Sequence, residues 1–125
     1  MEIKITRREK LYEQNNDMVH NWYFLIKGRI INDECTKMKK FRFVVWFDVW
    51  DLLEWLGNDS YAEQHDNKAL EWMDFTYTQE DIRNYLDELI FCCFTDSVKS
   101  YEDCAEFYEL CNTSIERYNS VARHW

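Results

Sequence analysis

The sequence predicts an α+β fold: an antiparallel β-hairpin, or a small three-stranded sheet, packed by three or four helices. Three observations carry that expectation. Residues 38–49 alternate, with Phe41, Phe43, Val45, Phe47 and Val49 on one side of a strand and Lys40, Arg42, Val44, Trp46 and Asp48 on the other. Beyond residue 49 the apolar residues recur at three- and four-residue spacing, as in helices with one buried stripe. The 125 residues include two Gly and no Pro, so little interrupts long elements. A chain of this length makes one domain, 1–125, burying roughly two-thirds of its unfolded surface. Residues 1–49 are its strand-rich, basic part and 50–125 its helical, acidic part.

Taken in order, Glu2–Thr6 alternates and suits a short third strand, whereas Arg7–Val19 is too polar to assign, with only Leu11, Tyr12, Met18 and Val19 to pack. Asn21–Ile31 is rich in aromatic and β-branched residues and pairs naturally with Met38–Val49 across the polar turn Asn32–Lys37. Val49, Leu52, Leu53 and Leu56 then mark a short helix that stops at Gly57, a residue suited to a left-handed C-cap. A further helix is expected within Ser60–Phe75, on Ala62, Ala69, Leu70, Trp72 and Met73. Thr78 followed by Gln79, Glu80 and Asp81 reads as an N-cap with acid in the first turn. That helix should run to about Phe94 and bury Ile82, Tyr85, Leu86, Leu89, Ile90 and Cys93. Ser100, with Asp103 three residues on, reads as the N-cap of a last helix. Its apolar seam is Tyr101, Cys104, Tyr108, Cys111, Ile115, Tyr118, Ala122 and Trp125.

Charge is divided by position. Residues 1–42 hold ten of the fifteen Lys/Arg and six of the twenty-four Asp/Glu, a balance of +4, which leaves −13 for residues 43–125 and −9 in total. The carboxylates are threaded among aromatic residues, which make up 18% of the chain, so they belong to a folded surface rather than an acidic tail. Such a surface attracts cationic clefts and repels nucleic acid. Five cysteines and an amino terminus without an apolar stretch suggest a reduced, cytoplasmic protein. The longest apolar runs, Trp22–Ile26 and Phe43–Phe47, are far short of the roughly 20 residues that span a bilayer.

No catalytic motif stands out, and the expectation is a protein that is not an enzyme and carries no cofactor or metal. Cys104 and Cys111 lie two helical turns apart on the seam, Cys92 and Cys93 are adjacent, and none has the close spacing of a zinc ligand pair. His20, His65 and His124 suggest no ligand pair. The carboxylates form three groups: Glu102, Glu106, Glu109 and Glu116 as a stripe beside the seam, Glu80, Asp81, Asp87 and Glu88 on the preceding helix, and Asp48, Asp51 and Glu54 on the first. Opposing them is a basic patch of Lys37, Lys39, Lys40 and Arg42, flanked by Lys27 and Arg29, on the outer face or tip of the hairpin. With Phe41, Phe43 and Trp46 nearby, the patch has elements of a nucleic-acid platform, although the net charge of −9 disfavours direct binding of phosphate.

In size, acidity, lack of an enzyme motif, aromatic-rich strands and the stripe Glu102, Glu106, Glu109, Glu116, the chain resembles the small acidic inhibitors made by phages and mobile elements, especially anti-CRISPR proteins. It departs from a wholly acidic mimic in keeping a basic amino-terminal third. The resemblance implies a stoichiometric inhibitor in the bacterial host cytosol that presents a nucleic-acid-mimicking surface to the nucleic-acid cleft of a CRISPR effector nuclease. A monomer is expected. The alternative is a cytosolic, antitoxin-like regulatory module that forms a homodimer through the terminal seam.

Overall fold

The computed structural model describes residues 1–15, 20–56 and 77–122. Strands β1 (Glu2–Asn15), β2 (His20–Ile31) and β3 (Met38–Asp48) form an antiparallel sheet in the order β1-β2-β3. Among the described residues three α-helices accompany it: α1 (Val49–Leu56), α2 (Gln79–Leu89) and α3 (Ala105–Ala122). The α+β class, the hairpin and the third strand are as the sequence predicts. The Gly57 cap, the helix expected within Ser60–Phe75, and Trp125 lie outside the described residues.

The inner face of the sheet carries Trp22, Phe24, Ile26 and Ile30 from β2 and Phe41, Phe43, Val45 and Phe47 from β3, all buried. Aromatic rings knit it to the helices. Phe43 stacks on Phe94 with centroids 4.2 Å apart, Phe47 meets Tyr85 edge-on at 5.0 Å, and Phe41 meets Phe107 edge-on at 5.0 Å. Gly28 sits opposite Phe41 because nothing larger fits: a Cβ there would lie 2.4 Å from the Phe41 ring and 2.5 Å from the Lys4 carbonyl oxygen.

Strand β1 is longer than the five residues predicted: Ile3 and Ile5 pack on the core, but beyond them the inward-facing Arg8 and Lys10 are polar and satisfied by partners. Arg8, opposite Ile26, pairs with Asp87 of α2 at 2.8 Å, and the Lys10 ammonium lies 4.2 Å over the Trp22 ring. Register shifts between Ile5 and Arg7 and between Lys10 and Tyr12 leave Thr6 and Leu11 as extra residues and restore the in-out alternation after each.

Helix α1 follows β3 directly. The Asp48 carboxylate accepts the Trp50 N–H at 2.8 Å, and Leu52 and Leu56 are fully buried. Helix α2 begins at the predicted cap: Thr78 accepts the Asp81 N–H at 3.1 Å, while the Asp81 carboxylate accepts the Thr78 N–H at 2.8 Å. The helix does not run regularly to Phe94. A π-helical turn, Ile90–Phe94, takes over, and its extra residue per turn rotates Cys93 out of the core into an exposed position.

Helix α3 starts at Ala105 and not after Ser100. The Ser100 hydroxyl does accept the Asp103 N–H at 3.0 Å, but the Asp103 carbonyl accepts from Lys99 and Ser100, closing a separate turn. Within α3 the most buried residue is Phe107, which the expected seam omitted. Cys111 and Ser114 are buried with it, and Tyr108, Ile115 and Tyr118 are half-buried. The seam therefore packs on the chain's own sheet, along the free edge of β3. There the Ser114 hydroxyl accepts the Val44 N–H at 3.0 Å and the Tyr108 hydroxyl donates to the Lys40 carbonyl at 2.7 Å. An edge that would otherwise invite another strand is closed by side chains.

Candidate functional site

Because α3 stands on the sheet edge, its exposed side has a cleft on each flank. On one flank, α3 faces the π-helical turn across an apolar cleft of about 290 Å³. Val45, Trp46, Leu89, Cys93, Phe94, Leu110 and Thr113 are among its lining residues. Leu110 remains 38% exposed and Phe91, on the same turn as Cys93, 47% exposed. The Arg117 guanidinium lies 5.1 Å from the Trp46 ring at the cleft's end. Glu106 lies one helical turn before Leu110 and Glu109 one turn before Thr113, so two exposed carboxylates of α3 stand at helical spacing from the lining of the cleft. The sequence reading missed this cleft, because the π-helical turn that creates it leaves no mark in residue spacing.

The opposite flank is cationic. Lys27 and Arg29 of β2 and Lys40 and Arg42 of β3 face α3 residues Tyr108, Asn112, Ile115 and Glu116 around a cleft of about 800 Å³. Cross-strand register places Lys4, Arg29 and Lys40 in one row and Arg7, Lys27 and Arg42 in the next. Arg7 joins the patch only because β1 extends past Thr6, which a short first strand would not have allowed.

The predicted acidic residues divide into two groups. Glu80, Glu88, Asp51, Glu54, Glu102, Glu106, Glu109 and Glu116 are exposed. Lys99 reaches Glu106 at 3.7 Å, a weak surface pair. Three others serve the fold: Asp81 is buried in the α2 capping box, Asp87 pairs with Arg8, and Asp48 caps the first turn of α1. The sequence pattern groups these three with the outward-facing carboxylates, whereas bonds within the fold hold them. Glu102 precedes α3, so the helical stripe consists of Glu106, Glu109 and Glu116, and Glu116 turns toward the cationic cleft. Of the basic patch, Lys40 and Arg42 point outward as expected and Lys37 lies in the exposed turn. Lys39 faces the other way, donating to the Tyr101 carbonyl with its ammonium 4.4 Å over the Tyr101 ring.

The two buried thiols are suppressed as nucleophiles, since burial raises Cys104 and pushes Cys111 up to about 12. Burial likewise raises Tyr85, to about 12, with Asp51 and Glu88 adding repulsion. Among the described residues no group of three His, Cys, Asp or Glu is placed to hold a metal, and no helix is long and apolar enough to cross a membrane. Comparison with known proteins finds no matching protein family, curated protein or solved structure.

Proposed function

We propose that the chain is a stoichiometric protein inhibitor that docks its acidic, helical side into a cationic nucleic-acid cleft of another protein, the class of target being a CRISPR effector nuclease. The observation that carries this reading is the apolar cleft between the π-helical turn and α3, with the exposed carboxylates Glu106 and Glu109 one helical turn before its lining residues Leu110 and Thr113. Exposed ion pairs contribute about 0–1 kcal/mol each, too little to hold a complex alone. Buried apolar anchors supply short-range affinity, and a rim of matched charge sets approach rate and orientation. Phe91 and Leu110 are exposed apolar side chains of the required kind, and the carboxylates around them complement a Lys/Arg-lined channel.

The test is DNA cleavage by a purified, guide-loaded effector nuclease titrated with the chain. Cleavage is expected to fall in proportion to added protein until the two are equimolar. A variant with Glu106→Lys, Glu109→Lys and Leu110→Arg should fold normally and leave cleavage intact. Equal inhibition by this variant would remove the cleft from the mechanism, and absence of inhibition by the parent chain would exclude that target.

A further inference from the structure

The cationic cleft on the other flank of α3 stands independently of the proposed inhibitor role. Its cations oppose one another directly: Arg29 pairs with Lys40, and Lys27 with Arg42, across neighbouring strands. Like charges directly opposite in a sheet are destabilising. Among the described residues no carboxylate forms an ion pair with Lys4, Lys27, Arg29, Lys40 or Arg42, Arg7 pairs with Glu9 at 2.9 Å, and Glu116 is the one carboxylate that lines the cleft. The fold thus carries a repulsive array on rigid strands that an external anion would relieve.

We infer that this cleft binds the sugar-phosphate backbone of a single-stranded nucleic acid. Successive cations on one strand face are two residues apart, roughly 7 Å, on the scale of the phosphate repeat along one strand. The α3 wall limits the width, and at about 800 Å³ the cleft suits a segment of one or two nucleotides at a time. That wall also offers neutral groups suited to a nucleotide: the Tyr108 ring, the Asn112 amide and the Ile115 side chain. Glu116, on the same rim, opposes a polyanion at one end. The net charge of −9 does not decide the matter, because the exposed carboxylates are concentrated on the helical elements and beyond a Debye length, about 10 Å in 0.1 M salt, they are largely screened.

Fluorescence anisotropy with a short labelled oligothymidylate tests the inference. Binding is expected at low salt and should weaken ~50-fold between about 50 and 200 mM, the dependence set by four cation–phosphate contacts on a single strand. Lys40→Glu with Arg42→Glu should abolish binding while melting no lower than the parent, since the reversal turns two repulsive cross-strand pairs into attractive ones. Lys40→Gln with Arg42→Gln should weaken binding and reduce the salt slope by about half. Glu116→Gln should bind more tightly. Absence of binding at low salt, unchanged binding by the reversed variant, or displacement of the oligonucleotide by an equal charge concentration of poly-glutamate would each overturn the assignment.

Discussion

The two faces of the sheet use the same three strands for opposite ends. On the inner face, Trp22, Phe24, Ile26, Phe41, Phe43 and Phe47 are at most 6% exposed and every ring meets another ring or a helix. On the outer face, Lys27, Arg29, Lys40 and Arg42 stand in registered rows and, among the described residues, none of them forms an ion pair. One side is optimised for burial and the other sacrifices some stability to hold like charges together. The contrast teaches that the fold depends on the inner face and the buried stripe of α3, whereas the surfaces flanking α3 are free for recognition.

Three substitutions or conditions probe the folding side of this contrast. Phe107→Ala has the largest expected effect, because it removes a fully buried ring packed on Phe41 and Phe43. It should cost about 3–5 kcal/mol in urea unfolding, and a loss below 1 kcal/mol would show that α3 contributes little to the core. Ser114→Ala is next. It strands the Val44 N–H at the covered edge and should cost about 1–3 kcal/mol, with faster amide exchange at Val44 as the local signature.

A graded effect is expected from alkali. Burial holds the Cys111 thiol and the Tyr85 hydroxyl protonated in the folded chain up to about pH 12, whereas in the unfolded chain they ionise near 9 and 10. Between those limits the unfolded state binds fewer protons, so stability is complete below pH 9 and declines as pH rises toward 12. Urea midpoints measured across that interval should fall steadily, and Cys111→Ala should flatten the early part of the decline. A flat profile in the parent would mean these groups are not shielded.

Much of this arrangement was legible in residue spacing. The alternation in β3 and the helical period after Asp48 identified the hairpin, its inner face and α1, and Thr78 with Asp81 marked the start of α2. The failures have physical causes. The outer half of β1 was hidden because Arg8 and Lys10 occupy inward positions by pairing with Asp87 and Trp22. Ser100 and Asp103 make the bond of an N-cap inside a turn that precedes the helix, so local chemistry alone could not date the start of α3. That four-residue delay, together with a seam drawn through Tyr108, concealed Phe107. Spacing shows the candidate sites only as groups of like charge, and it is the capping box, the Arg8 pair and the Trp50 hydrogen bond that separate Asp81, Asp87 and Asp48 from the carboxylates that face outward.

The most direct test of the division between folding and recognition is the unfolding free energy of one variant that inverts charge on both flanks of α3: Lys40→Glu, Arg42→Glu, Glu106→Lys and Glu109→Lys. The two strand changes should gain roughly 0.2–1 kcal/mol each, and the Lys99–Glu106 pair is worth at most about 1 kcal/mol. The account predicts a stability equal to or above that of the parent chain, with the same dependence on urea. A loss of more than about 2 kcal/mol, beyond what these surface terms allow, would contradict it by showing that these charges belong to the fold.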